Sequence, residues 1–338
     1  MCPAFARREV GDAFFKEKNV NILITGGAGF IGSHLAERLL ARGDHVWVID
    51  NFATGRRDNL KPHAHLTLVE GTIADANLVQ NAFQHARPNL VIHAAASYKD
   101  PENWVEDVHT NVLGTANVVR AAQKAQVKRF IYFQTALCYG LKPKEQPITL
   151  AHPICSTGSS YAISKTAAEQ YVELSGLDFI SFRLANAYGP RNLSGPLPTF
   201  YQRLTTGKPC FVMDTRRDFI FVDDLVACVM KAVDGKGSKG PYHISSGGDF
   251  AIKELFDETV KALGIKLDKD VEIRPRLPDD TFTILLDPSK TQRDFAWQAS
   301  TPLTVGVHKA IEYYQAHGIN QTFTHLRQLD GQKTKSAA

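Results

Sequence analysis

Eight residues constrain this chain more than any others: Thr25-Gly26-Gly27-Ala28-Gly29-Phe30-Ile31-Gly32. They follow a short apolar run at 20–25 and precede an amphipathic stretch at 31–41. Three glycines in this spacing, between a strand and a helix, permit a tight turn and let a backbone approach a pyrophosphate closely. The helix start then presents unpaired N–H groups and a favourable dipole to an anion. The plain alternative is a glycine-rich strand-to-helix turn that binds nothing, and the flanking pattern argues against it. Gly26, Gly29, Phe30, Ile31 and Gly32 are therefore expected to bind a dinucleotide.

The pattern after this loop extends the argument to the whole chain. Short apolar runs fall at 45–49, 66–69, 90–93, 130–133 and 179–182, and amphipathic helical stretches at 77–85, 104–124 and 161–174. Apolar runs of this kind suit strands buried on both faces, and alternation with helices gives βαβ units. The expected fold is α/β: a doubly wound parallel Rossmann sheet with a smaller C-terminal α/β substrate lobe. The expected division is an N-terminal extension at 1–19 and a nucleotide-binding domain at 20–185 with a return segment at 218–247. Residues 186–217 and 248–320 would form the substrate lobe, and 321–338 a tail. Pro and Gly cluster at 189–190 and 195–198, and a polar hinge at 234–240 separates a helix at 223–233 from a short run at 242–244. Further helices are expected at 252–263 and 303–317.

Composition excludes several classes. With 338 residues, 39 Lys+Arg against 35 Asp+Glu and a net charge of +4, the chain has no charge excess that argues for nucleic acid. Its compact basic pairs (Arg7-Arg8, Arg56-Arg57, Lys128-Arg129, Arg216-Arg217) are scattered, as solvated surface would be. No apolar run has membrane-spanning length, and the first residues show no signal-peptide core, so a cytoplasmic location without membrane partners is expected. Five cysteines without a CxxC pair fit a reducing compartment. His63 and His65 have no third ligand at a recognisable spacing, so no metal is expected. His93 ends a run near the glycine loop; it either lines the site or packs at the strand end.

Asp50 ends the second apolar run, eighteen residues after Gly32. A carboxylate there accepts hydrogen bonds from an adenosine ribose and repels a 2′-phosphate, which favours NAD over NADP. Arg56 and Arg57 pull slightly the other way, although a solvated pair is the simpler account of them. Tyr161 and Lys165 lie four apart and so share one face of a helix. An ammonium beside a phenol favours the phenolate, which a tyrosine with an unperturbed pKa of about 10 needs in order to act as a base near neutrality. Thr135 follows the run at 130–133, where the carboxyl ends of parallel strands meet ligands.

Taken together, these residues resemble the extended short-chain dehydrogenase/reductases, specifically the NAD-dependent sugar-nucleotide epimerases and dehydratases, UDP-glucose 4-epimerase among them. The matching stretches run from about Val20 to His317: ITGGAGFIGSHL, VIDNFATGRRDNL, LVEGTIAD, VIHAAA, TNVLGTANVV, FIYFQTALCYG, SSYAISKTAAEQYV, FRLANAYGPR, RRDFIFVDDL and LLDPSK. YKDPENW and FQTALCYG look like a bacterial subgroup associated with O-antigen and other surface polysaccharides. The resemblance implies roles. Tyr161 would be the base, Lys165 would bind the nicotinamide ribose and lower the tyrosine pKa, and Thr135 would orient the same sugar hydroxyl. Asn111 matches an active-site asparagine. Asp50 and Asn51 match adenosine-ribose contacts, and Thr72, with Ile73 beside it, stands where an Asp often meets adenine. Asn186 matches a substrate-diphosphate contact and Arg217 an arginine for the nucleotide. Asp280 matches an acid on its ribose, which leaves Leu277 where a second arginine is common; a one-residue shift restores Arg276 with Asp279, and both alignments stay open. The partner implied is a nucleotide sugar, with UDP favoured, and the assembly implied is a homodimer through the helices at 104–124 and 161–174.

Ala136 and Leu137 follow Thr135, where dehydratases carry acidic residues and decarboxylases a Glu. A reaction needing only hydride and hydroxyl-proton transfer, C4 epimerisation, is therefore expected. The alternatives are a nucleotide-sugar 4-dehydrogenase or ketoreductase, which would consume or produce free NAD(H), and a non-catalytic dinucleotide-binding scaffold.

Overall fold

The computed structural model describes residues 19–276, 280–319 and 321–323. The expected extension falls almost entirely outside these residues, as do Leu277, Asp279 and most of the expected tail. Thirteen strands are formed by the described residues: β1 (Asn21–Thr25), β2 (His45–Asp50), β3 (Leu66–Glu70), β4 (Leu90–His93), β5 (Arg129–Thr135), β6 (Phe179–Leu184), β7 (Asn186–Tyr188), β8 (Phe211–Met213), β9 (Arg216–Arg217), β10 (Phe219–Phe221), β11 (Gly240–Ile244), β12 (Phe250–Ala251) and β13 (Glu272–Arg274). The helices are α1 (Phe30–Arg42), α2 (Ala76–Ala86), α3 (Trp104–Asp107), α4 (Thr115–Lys124), α5 (Ser160–Leu174), α6 (Pro196–Thr205), α7 (Val222–Val233), α8 (Ile252–Leu263), α9 (Ser289–Phe295) and α10 (Leu303–His317).

Seven strands build one parallel sheet in the order β11-β6-β5-β4-β1-β2-β3. Period-2 alternation sends successive residues of each strand to opposite faces. Ile22 and Ile24 of β1 join Leu35 and Leu39 of α1 and Leu225 and Val229 of α7. Leu23 between them packs with Val79 and Phe83 of α2, Val118 and Ala122 of α4, and Ala168 and Val172 of α5. Both faces of the inner strands are covered, which is why they read as unbroken apolar runs, whereas no residue of the edge strand β3 is buried. The strand order reverses between β1 and β4, so the crevice beyond their carboxyl ends is the place where a doubly wound sheet binds its ligand.

Two elements differ from the sequence expectation. The stretch at 104–124 is not one α-helix: a π-helical segment, Val108–Gly114, separates α3 from α4. A π segment adds a residue per turn and often marks a functional position, and here it carries Asn111. The Pro- and Gly-rich cluster at 195–198 opens a helix, α6, because Pro196 takes its first position, where a missing N–H costs nothing. Small strand pairs β10–β7, β12–β9 and β13–β8 connect the C-terminal elements, and α8 packs against α6 and α10. Among the described residues no helix is long and apolar enough to cross a membrane.

Helix α10 reaches the core at a glycine. A Cβ on Gly306 would lie 2.7 Å from Tyr188 Cζ and 2.8 Å from Phe221 Cδ2, both on buried rings. Alanine would gain about 1 kcal/mol of helix propensity but would overpack two rigid rings at a cost of about 1–3 kcal/mol. Gly306→Ala is therefore expected to lower the urea midpoint of unfolding, whereas propensity alone would raise it.

Candidate active site

One cleft runs along the carboxyl edge of the sheet. The turn after β1 forms its floor. Gly26 has φ +69°, and a Cβ there would lie 2.7 Å from the N and Cα of Ala95. A Cβ on Gly32 would lie 2.7 Å from Gly27 Cα and 2.9 Å from Gly26 C. These glycines are required for the loop to fold back on α1 at all. Gly29 is the N-cap of α1 and offers no side chain to its first turn, so the helix start is left to an anion.

Asp50 reaches back to this turn. Its carboxylate accepts hydrogen bonds from Ala28 N (2.8 Å) and Phe52 N (2.8 Å). Burial pushes its pKa up, and the backbone bonds from Phe52, Ala28 and Gly29 oppose that shift. Asp50 and Asn51 both line the cleft, as do Gly26, Gly29, Phe30, Ile31 and Gly32. Thr72 and Ile73 line its next section, held by Asn117, whose Nδ2 donates to Ile73 O and Ala74 O (both 3.0 Å). The residues present thus fit a dinucleotide: a cradle that any Cβ would fill, an uncapped helix start and an acidic strand end.

Thr135, Tyr161 and Asn186 line the same cleft. The Thr135 hydroxyl accepts from Leu137 N (3.2 Å) and keeps its own proton for another acceptor. Lys165 lies one turn further along α5, buried, with Nζ 4.1 Å from the centroid of the Tyr132 ring. Burial pushes its pKa down to about 7, with the Glu169 carboxylate opposing. Tyr161 is pushed well up, first by burial and then by Tyr98 and Asp107. Burial is thus the largest influence on both groups.

Several candidates lie outside the cleft lining. Asn111 is buried, and each of its polar atoms is bonded within the protein: Oδ1 accepts from Ser97 N (2.8 Å), and Nδ2 donates to Ser97 O (3.1 Å) and Ser164 Oγ (3.0 Å). It fixes the cleft-lining 94–99 segment against α5. His93 is a packed strand-end residue. Thr115 spends its hydroxyl proton on Asn111 O (2.6 Å), so His93 Nε2–H donates to Thr115 Oγ1 (2.8 Å) and Nδ1 accepts from Thr25 Oγ1 (2.6 Å). Burial, followed by the Lys165 charge, pushes the imidazole down to about 3, so it stays neutral. Arg217, Arg276 and Asp280 meet one another elsewhere: Arg217 Nη2 donates to Asp280 Oδ1 (2.6 Å) and Arg276 Nη1 to Asp280 O (2.8 Å). Burial pushes Arg217 below its ordinary value.

Other lining residues were not legible in the sequence. Asn192, Ser194 and Gly195 reach the cleft from the loop after β7. Arg191 ties this loop to α1 through Ser33 Oγ (3.2 Å) and Glu37 Oε1 (2.5 Å). Glu106 and Thr110 line the cleft from the α3–π segment, Thr110 Oγ1 donating to Glu106 Oε1 (2.6 Å). Positions 136 and 137 carry no acid, but a carboxylate does stand in the cleft, supplied by a different element.

The comparisons agree with this geometry. The NAD dependent epimerase/dehydratase family model matches residues 22–245. Among solved structures, the Bordetella bronchiseptica enzyme WbmH in complex with NAD+ is 56% identical, with a TM-score of 0.85, 88% of this chain and 99% of that chain being covered. The WbmG enzyme of the same organism, in complex with NAD and UDP, is 43% identical, with a TM-score of 0.85 and coverage of 92% and 99%. UDP-glucose 4-epimerase of Mycolicibacterium smegmatis is 29% identical over 314 residues, 87% of this chain and 98% of its own length. The chain belongs to the NAD-dependent epimerase/dehydratase family, and NAD is its cofactor.

Asn186 is positioned through Asp218, whose carbonyl accepts from Asn186 N (2.9 Å) and Nδ2 (3.3 Å). Burial pushes the Asp218 carboxyl up to about 6, against hydrogen bonds from Ser245, Ser246 and Leu286. A raised folded-state pKa means that the native state binds the proton more tightly. The resulting stability is complete below the unfolded value of about 3.9 and lost as pH rises through about 6. The stability difference between wild type and Asp218→Asn is expected to change between those limits and to be flat above them, as thermal melts across that range would show.

Proposed function

We propose that this enzyme inverts C4 of a UDP-sugar through a 4-keto intermediate, in cytoplasmic synthesis of a surface-polysaccharide precursor such as O-antigen. The observation that carries this reading is the presence of Thr135 and Tyr161 in the cleft that the glycine turn floors. NAD, when bound, would supply the hydride acceptor and donor for the sugar carbon and a positive charge in the cleft. Thr135 orients the sugar hydroxyl with its free proton, and Tyr161 accepts the hydroxyl proton and later returns it. Lys165 holds the cofactor's ribose side of the site and keeps a cation behind the phenol. Asn111 acts as a positioning residue through Ser97 and Ser164. Asp50, Asn51, Thr72 and Ile73 bind the adenosine half; Asn186, Arg217, Arg276 and Asp280 hold the substrate's nucleotide end. Residues 20–185 with 218–247 serve the cofactor, and 186–217 with 248–320 serve the substrate.

Glu106 favours one other reading, in which a carboxylate removes a proton from a sugar carbon. Turnover of UDP-glucose, UDP-N-acetylglucosamine, UDP-glucuronate and dTDP-glucose in D₂O, followed by proton NMR, separates the two. A C4 epimer free of carbon-bound deuterium is expected; deuterium at C3 or C5 would assign the chemistry to proton abstraction from carbon. Tyr161→Phe is expected to lose about 100-fold or more in kcat, and full activity would sink the mechanism.

The same reading includes a homodimer. Trp104 (58% exposed), Val105, Val108 and Leu113 stand out from α3 and the π segment, and Ile163, Tyr171 and Leu174 (81% exposed) from α5. Apolar side chains concentrated on adjacent helices support burial against a second copy. Val105→Arg combined with Leu174→Arg is expected to convert a dimer to a monomer in sedimentation velocity; a wild-type monomer would contradict the assembly.

A further inference from the structure

Behind the cleft, between β5, β6 and α5, lies a string of buried polar groups that the mechanism above does not use. On β5, alternate residues Phe130, Tyr132 and Gln134 face α5, and the first two belong to the apolar cluster formed there with Ala168 and Val172. Gln134 is 2% exposed. A buried amide on an apolar face is costly unless it is fully bonded, and a Leu or Met would pack there without needing partners.

Its bonds connect two elements. Oε1 accepts from Thr135 N (2.8 Å), and Nε2 donates to Lys165 O (3.0 Å) and Glu169 Oε2 (3.2 Å). The orientation of the amide is forced, since an N–H only donates and a carbonyl only accepts. The anchor is itself held. Glu169 accepts from Ser181 Oγ (2.5 Å) and from Arg183 Nε (3.2 Å) and Nη2 (3.1 Å), and Arg183 Nη1 donates to Tyr139 OH (2.9 Å). His243 Nδ1–H donates to Asp287 O (2.9 Å), which leaves Nε2 to accept the Tyr139 hydroxyl (2.6 Å). One end of Gln134 therefore grips the strand end that carries Thr135. The other grips the helix that carries Tyr161 and Lys165, at a point braced across the sheet.

We propose that Gln134 is a positioning residue that fixes Thr135 relative to Tyr161 and Lys165. This rests on the reading of Thr135 and Tyr161 as the reacting centre. Thr135 and Tyr161 must reach the same hydroxyl, yet they sit on separate elements, and a displacement near 1 Å is enough to cost about 100-fold in rate.

Two variants of similar size separate holding from filling. Gln134→Met removes both ends of the clamp. Gln134→Glu keeps the acceptor for Thr135 N and replaces the donor toward α5 by an oxygen that faces the Glu169 carboxylate. Amide exchange on the NAD-bound protein needs no substrate. The Thr135 amide is expected to exchange about tenfold faster or more in Gln134→Met and at the wild-type rate in Gln134→Glu, with the β1 amides unchanged in both. A Thr135 amide unchanged in Gln134→Met would overturn the proposal. With the nucleotide sugar turned over in the panel above, both variants are expected to lose about tenfold in kcat with KM held within about twofold; full kcat in Gln134→Met would also overturn it. If Gln134→Met does not fold, Gln134→Glu decides by the same kcat criterion. Tyr161→Phe, run alongside, separates the two failures. Full activity in that variant overturns the reading of the centre and leaves the exchange result standing, whereas an inactive Tyr161→Phe beside a fully active Gln134→Met overturns the clamp alone.

Discussion

The Asp50 carboxylate and the glycine turn hold each other in place, and the rest of the site is arranged around that contact. Without side chains at Gly26 and Gly32 the backbone after β1 folds against Ala95 and against its own first glycines. Asp50, at the end of the neighbouring strand, then closes the loop through Ala28 and Phe52. A buried carboxylate is costly unless hydrogen bonds satisfy it, and these N–H donors satisfy it. The contact leaves the start of α1 uncapped and facing the crevice. The turn that the proposed cofactor site needs is thus set by backbone geometry before any other side chain contributes.

The proposed chemistry draws on elements remote in sequence. Thr135 comes from the end of β5, Tyr161 and Lys165 from α5, and the Asn111 brace from a π segment. Each is held by polar groups that pack behind the cleft instead of lining it. Asn111 satisfies both backbone groups of Ser97, and Gln134 joins the strand end to the helix. Such fully bonded networks rigidify a site where apolar packing alone would leave sliding freedom. The electrostatics have the same origin. Burial pushes Lys165 down to about 7 and Tyr161 up, and a cation beside a phenol favours its ionised form.

Local chemistry made much of this readable in advance. The inner strands of the main sheet fall where apolar runs predicted them, because a strand buried on both faces admits apolar residues at nearly every position, and the edge strand β3 carries such a run although none of its residues is buried. The glycine turn was readable because the backbone there has no room for a Cβ. The helix at 104–124 was misjudged because periodicity reports which residues are apolar and says nothing of an extra residue in one turn. Helix α6 was missed because prolines signal breaks as well as first turns, and only the surrounding fold separates the two.

The sequence by itself determined the sheet and the glycine turn and singled out Thr135, Tyr161 and Lys165 as candidates, since each rests on spacing within one segment or on space denied to a side chain. Only the tertiary structure decided which polar groups meet. It turned Asn111 and His93 inward as braces, joined Arg217 to Asp280, and brought Glu106 into the cleft from a segment with no motif. The physical reason is that a polar side chain takes whatever partner the packing brings within about 3 Å, and packing is a property of the whole chain.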